Sequence, residues 1–316
     1  MMMRNVMTKN SVWLLALVVM ALAGEAALGD TFLNGLAGPT GLANEGNQGS
    51  SPANDRFLNS PSFIGAPYNW SGVGLSNGGS WATMISPTYF VSANHDHPTP
   101  GQTVTFYTGN STSSLSYTYT VSSTYYQTQY DGQGSDLYLG ELTTPVAASI
   151  AKYPVLDLPS DSAYLGMTIW TYGYPNRVGL NNISQITDLG PDSNPSIDGY
   201  GLTRVMYYPY YANGGQQGAN ESYLEGGDSG GPSFAVVDGS LALLGTHFVD
   251  DGPVFDGAFS GDSFIPFYIN QLDANMVGAQ VTTVTVVPEP ASLLLLGVGA
   301  AGFVFYSWRR RICSRA

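Results

Sequence analysis

The sequence predicts an all-β fold built of two similar-sized halves, and three observations carry that prediction. From about residue 56 to residue 262, short apolar or alternating runs recur between turn residues. No helix-length amphipathic segment interrupts them before residue 263. The only cysteine, Cys313, lies near the C-terminal end, past a long apolar run, so the part before that run must be held by core burial without disulfides.

The elements follow in order. Residues 30–55 are rich in Gly, Asn, Pro and Ala and read as a flexible lead-in. Trp81–Ile85 and Tyr89–Val91 flank the turn Ser86-Pro87-Thr88, and Thr103–Tyr107 and Leu115–Val121 alternate. Further strands are predicted at Leu137–Leu142, Met167–Tyr172, Arg204–Tyr208, Ser233–Val237 and Leu241–Phe248. Strands at this spacing suggest a barrel or a sandwich, with the halves dividing near residue 150. One helix is predicted over 263–276. Asp262 or Ser263 can cap it, Pro266 suits its first turn, and Phe264, Ile265, Tyr268, Ile269 and Leu272 share a face. Residues 277–287 read as a Thr/Val linker.

The two ends carry targeting signals. Residues 1–29 read as a signal peptide: Arg4 and Lys9, an apolar run Val12–Ala23, then small residues that suit cleavage after Ala23 or near Gly29. The alternative is a retained N-terminal anchor. At the other end, Pro288-Glu289-Pro290 precedes an uncharged run, Ala291–Trp308, and then Arg309-Arg310-Arg311. At about 1.5 Å per residue this run reaches about 27 Å, enough for a transmembrane segment at 291–308. The arginines should stay cytoplasmic and everything before Pro288 outside. This three-part tail, residues 288–316, resembles the PEP-CTERM sorting signal of bacteria that make exopolysaccharide. The resemblance implies a cell-envelope, surface or matrix protein, anchored transiently through its tail until an exosortase-type transpeptidase processes it.

Between residues 30 and 287 there are 4 basic residues, Arg56, Lys152, Arg177 and Arg204, against 21 acidic ones. Such a surface repels nucleic acid and anionic polymers, so nucleic-acid binding is excluded.

The chemistry concentrates in Gly227-Asp228-Ser229-Gly230-Gly231-Pro232. A serine becomes a nucleophile when a base takes its proton and N–H groups await the resulting oxyanion. Flanking glycines permit the tight turn that aims two such groups, here those of Gly227 and Ser229. The base must come from His95, His97 or His247, the three histidines present. His95 closes a strand ending in small residues, Ser86–His95. For the acid, Asp136 heads the apolar strand Ser135-Asp136-Leu137-Tyr138-Leu139, where a buried carboxylate needs a partner such as an imidazole N–H.

These three blocks, in the order His, Asp, Ser, resemble the chymotrypsin-like (trypsin-like) serine proteases across roughly residues 60–276. Ser86–His95 looks like the strand that delivers the base, Ser135–Leu142 like the acidic block, and Gly227–Pro232 is identical to the nucleophile loop. The resemblance implies two six-stranded antiparallel β-barrels, about 56–150 and 151–262, with the terminal helix after them. It implies an exported serine endopeptidase acting on protein or peptide substrates through an acyl-enzyme, with no cofactor and no metal. Ser229 would be the nucleophile, His95 the base and Asp136 its orienting acid. Gly227 and Ser229 would form the oxyanion hole, and Asp228 would support it by pairing with a cation.

The chain departs from the family in places. No activation sequence is recognisable, so Asp228 is expected to pair with Arg177, Arg204 or an unlocated terminus. Tyr223 stands where trypsin-type members place a specificity carboxylate, which argues against strict cleavage after Lys or Arg, although Glu221 and Glu225 lie nearby. The run Thr246-His247-Phe248 is expected to pair with substrate backbone, with Phe248 narrowing the pocket. Other readings stay open: a metal site on His95, His97 and His247, calcium on Asp250-Asp251, Asp256 and Asp262, a polysaccharide-binding face among the 21 tyrosines, or a catalytically inactive protease-like binding or structural protein of the matrix.

Overall fold

A computed structural model describes residues 34–35, 53–58, 60–190, 201–211, 216–250 and 257–285. The signal peptide, most of the lead-in, the apolar segment 291–308, and Asp251 and Asp256 lie outside the described residues. Among the described residues no helix is long and apolar enough to cross a membrane.

The described residues are all-β, in two barrel-like units followed by a short C-terminal helix. A two-residue strand, β1 (Asn34–Gly35), precedes the first unit. That unit comprises β2 (Val73–Ser76), β3 (Trp81–Met84), β4 (Tyr89–Ala93), β5 (Thr103–Tyr107), β6 (Ser116–Tyr130) and β7 (Gln133–Leu142). They close a barrel in the order β2-β3-β4-β7-β6-β5. The second unit contains β8 (Val155–Leu156), β9 (Thr168–Gly173), β10 (Arg177–Asn182), β11 (Gln185–Leu189) and β12 (Thr203–Pro209). It continues with β13 (Ser222–Tyr223), β14 (Pro232–Val237), β15 (Ser240–Asp250) and β16 (Phe259–Phe264). The main path runs β10-β9-β14-β15-β16-β12-β11, while β13 pairs with β1.

With the side strands β8, β11 and β13 set aside, β9, β10, β12, β14, β15 and β16 follow the same cyclic order as the first barrel. The one difference is the seam between β10 and β12. Asn181 crosses it, its Nδ2 donating to Pro209 O at 2.9 Å and to Ser222 O at 2.9 Å. The two longest hairpins turn on Asp-Gly pairs, Asp131-Gly132 and Asp238-Gly239, all with positive φ. That conformation matches the twist of the flanking strands and fixes their register.

Alternation marks Thr103–Tyr107, whereas Trp81–Met84 and Tyr89–Ala93 are buried on both faces. In Thr103–Tyr107 only Val104 and Phe106 are fully buried, and they meet Ala82, Met84, Phe90 and Leu142 inside the first barrel. A second cluster spans both units: Trp70, Trp81, Val91, Leu137, Tyr172 and Phe234. Trp70 and Trp81 approach Tyr172 with ring centroids 5.4 and 5.5 Å apart. Ile169, Met206, Tyr208, Leu244 and Phe264 fill the second unit.

Several expectations are corrected. β6 and β7 run 15 and 10 residues, well beyond their apolar stretches. Asp262 and Ser263 belong to β16 and do not cap the helix. Instead a 3-10 turn, Ile265–Tyr268, leads into α1 (Ile269–Asn275) without a side-chain cap. The linker contains β17 (Thr283–Val284), which pairs in parallel with β8. The end of the lead-in is docked rather than loose. Asn54 is buried, its O accepting the Val178 N–H at 2.8 Å and its Nδ2 donating to Val178 O at 2.9 Å, and the buried Arg56 donates to Tyr107 O, Gly109 O and Tyr172 Oη.

Candidate active site

The first barrel delivers two of the predicted groups on neighbouring strands. β4 pairs with β7 so that Ala93 faces Leu137, which places His95, two residues beyond β4, beside Asp136. Asp136 is fully buried, and both its oxygens engage His95: Oδ1 accepts the backbone N–H at 2.8 Å and Oδ2 lies 2.9 Å from Nδ1. A carboxylate held against both main chain and ring leaves the imidazole one orientation. Its Nε2 then lies 2.8 Å from Ser229 Oγ, contributed by the second unit. His95, Asp136 and Ser229 therefore form one continuous hydrogen-bonded line across the two units.

Electrostatics follow from that line. Burial alone would lower the His95 pKa, but the hydrogen bond and charge of Asp136, with Asp96 beyond, more than offset it, and the ring is held above its ordinary 6.5. Burial pushes Asp136 upward, and its contacts with His95 oppose this. The stronger constraint is geometric: Asp136 accepts two N–H bonds, so the proton between the two side chains belongs on the imidazole.

The nucleophile loop packs tightly against the first barrel. Gly230 has φ +77, and a Cβ there would lie 2.4 Å from Ser92 Oγ and 3.0 Å from Ala93 N. No larger residue fits so close to the end of β4. Trp81 Nε1 donates to Gly227 O at 3.0 Å, a second tie between the first barrel and this loop.

Asp228 is buried, but its partners differ from the expectation. Its Oδ1 accepts the Tyr174 N–H at 2.8 Å and its Oδ2 the Glu225 N–H at 3.0 Å. Arg204 instead pairs with Asp161 and Asp188. The charges of His247 and Arg177 reach Asp228 electrostatically. Burial dominates and pushes its carboxyl up to about 7, while His247 and the two backbone donors oppose this.

The predicted substrate-binding residues are redistributed. Tyr223 is wholly buried against Tyr210 and Ala258 and lies behind the cleft instead of lining it. β15 is an interior strand, so the edge expected at Thr246 and His247 is occupied. Thr246 faces Pro232 on one side and Ser263 on the other, and His247 N–H donates to Gly231 O. A bulge between His247 and Val249 lifts Phe248 out of the ladder. Its ring sits 6.0 Å from that of His95. Phe248 lines a cavity of about 20 Å³ with Leu224, Glu225, Asp228 and Ser229.

The three histidines do not converge. His97 stacks on Tyr138 at 3.9 Å and contacts Asn94 O, and burial lowers its pKa. His247 is buried against Asp262, with Nδ1 to Oδ1 at 2.8 Å. Among the described residues no group of three His, Cys, Asp or Glu side chains could hold a metal ion. The buried Asp262 faces His247 and Tyr208 rather than solvent. Sequence reasoning missed this second His–Asp pair, as well as Trp81 and the backbone donors of Tyr174 and Glu225. The spacing of His247 and Asp262 on adjacent strands was a readable signal once β16 is recognised.

Comparison with known proteins adds a sorting signal. Residues 286–311 match the PEP-CTERM protein-sorting motif. That motif marks the chain for export and envelope sorting and implies recognition by exosortase-type processing. No curated protein matches the chain. Among solved structures it is similar to human heparin binding protein, with 15% identity, a TM-score of 0.46, and coverage of 69% of this chain and 95% of that one. A single-site mutant of the same human protein (CAP37) matches at 14% identity and a TM-score of 0.46, covering 68% and 95%.

Proposed function

We propose that this chain is an exported serine endopeptidase that cleaves peptide bonds through an acyl-enzyme. The observation that carries the reading is the unbroken line from Asp136 through His95 to Ser229. Ser229 Oγ attacks the carbonyl carbon of the scissile bond while its proton passes to His95 Nε2. The C–N bond then breaks, and the leaving amine takes that proton. Water, deprotonated by the same nitrogen, hydrolyses the ester and frees Ser229. Asp136 steadies the imidazolium without accepting its proton.

Gly227 and Ser229 supply the oxyanion donors in this scheme. Among the described residues neither N–H has an internal acceptor, which leaves both available. Asp228, gripped by two backbone donors, keeps the loop in shape. The narrow cavity under Phe248 favours a small side chain at the residue whose carbonyl is attacked. The sorting motif sets the stage outside the cell, with the segment 291–308 as a transient membrane anchor.

The narrowness of that cavity also favours a second reading, a protease-like binding or structural protein of the extracellular matrix in which Ser229 never meets a peptide. A fluorophosphonate probe separates the two. Wild-type chain should be labelled at Ser229, Ser229→Ala should not, and a folded wild-type chain that stays unlabelled overturns the enzyme reading.

A further inference from the structure

The second histidine–aspartate pair lies behind the nucleophile loop, and both of its ring nitrogens are committed. His247 is 1% exposed. Its Nδ1 lies 2.8 Å from Asp262 Oδ1 and its Nε2 lies 3.2 Å from Tyr172 O. With Asp262 as a carboxylate, which like a carbonyl can only accept, the doubly protonated imidazolium satisfies both contacts. Tyr208 agrees with this assignment, since its hydroxyl donates to the same Asp262 oxygen at 2.9 Å.

The ring also sits at the root of the loop. Gly230 N–H donates to His247 O at 2.9 Å, and His247 N–H donates to Gly231 O at 2.8 Å. A Cβ on Gly231 would come within 2.7 Å of the His247 ring and 2.5 Å of Tyr172 O. Tyr172 is two residues before Tyr174, whose N–H grips Asp228. The same histidine therefore touches the strand that holds Asp228 and the loop that carries Ser229. It lines the same small cavity as Asp228, whose other charged neighbours are Arg177 and Glu225.

We propose that His247, held as a buried imidazolium by Asp262, is a positioning residue that supplies the internal positive charge steadying Asp228. The nucleophile loop then takes its working shape in the uncut chain, with no newly formed terminus inserted beside it. The role rests on the reading of Ser229 as nucleophile, and it goes beyond that reading by naming what orders the loop.

The test begins with the full chain in detergent, labelled with ¹⁵N at histidine only. At about pH 8, above the ordinary histidine range, His247 should still show two ring N–H signals. Asp262→Asn should remove them. A neutral, singly protonated His247 in the wild-type chain overturns the proposal whether or not any variant folds. The second arm is kinetic. His247→Gln, if folded by circular dichroism, should lower the fluorophosphonate labelling rate of Ser229 by about 10²-fold, the scale of a lost oxyanion donor. For peptide substrates the loss should fall on kcat, with KM nearly unchanged. A folded His247→Gln chain labelled at the wild-type rate overturns the role. A wild-type chain that is not labelled at all removes the nucleophile reading and the role together, whereas a labelled wild type with neutral His247 removes only the role.

Discussion

The two barrel-like units share one strand order but bury different kinds of side chain. Inside the first, Ala82, Met84, Phe90, Val104 and Phe106 leave an apolar filling, and Asp136 is the one buried charged group on its strands among the described residues. The second buries Arg177, Glu221, Asp228, His247 and Asp262. The first is closed by backbone pairing all round, and the second relies on the Asn181 side chain at its seam. The contrast teaches a division of labour. Under the proposed mechanism, a closed barrel with an apolar filling presents a base and an acid at fixed strand ends, while the polar unit commits its interior to ordering a loop. Buried charges are costly unless paired, so their concentration behind Ser229 marks where the fold trades stability for shape.

The largest expected effect tests the first unit's contribution to chemistry. Under the proposed mechanism, Asp136→Asn should lower kcat by about 10⁴-fold, because the imidazole loses its orienting acceptor. Its pH profile sharpens the point. The wild-type His95 ring is held above 6.5, so kcat/KM should fall on the acid side at a pH above that of an ordinary histidine. With Asp136 neutralised, burial acts with less opposition, and the acid limb should move to lower pH. The sign for stability runs the other way: the raised His95 pKa stabilises the fold below 6.5, and that contribution is lost as pH rises through the raised value.

A cavity in the dry barrel should cost stability without touching chemistry. Phe106 is fully buried against Gly74. Phe106→Ala should cost about 3–5 kcal/mol in denaturant unfolding, while Ser229 in the folded fraction is still labelled within about twofold of wild type. A larger loss of labelling would mean that the two units are less separable than their interiors suggest. Trp81 is the sharpest link between them. Trp81→Phe removes its N–H bond to Gly227 O and should slow acylation about fivefold, consistent with about 1 kcal/mol for one hydrogen bond. The smallest effect is expected at Arg204, whose partners Asp161 and Asp188 are substantially exposed. Arg204→Ala should change unfolding free energy by no more than about 1 kcal/mol.

Legibility in the sequence followed the same division. Thr103–Tyr107 could be read directly from its alternation, and Leu137–Leu142 from its nearly continuous apolar run. Val73–Ser76, Arg177–Asn182 and Phe259–Phe264 could not. Their glycines, serines and buried polar residues answer to neighbours rather than to a solvent boundary, so no period of two appears. His95, Asp136 and Ser229 were readable because their local motifs are short and ordered along the chain. The support for Asp228 was not, since it comes from backbone N–H groups of Tyr174 and Glu225 that leave no residue signature. Burial of Tyr223 was not readable either, since both residues of β13 are buried and no alternation marks them.

One pairing near the C-terminus has a consequence for reach. β17 ends at Val284, and the sorting motif begins at residue 286. The folded body is thus clasped, through β8, almost to the point where its address label starts. If the membrane run begins at residue 291, the six residues 285–290 between it and β17 span at most ~20 Å when fully extended. Under the proposed transient anchor, such a molecule would be short-leashed and confined to a thin layer above the lipid until its tail is cut. Release by the sorting machinery would then change which substrates it can meet, without altering a single atom of the cleft.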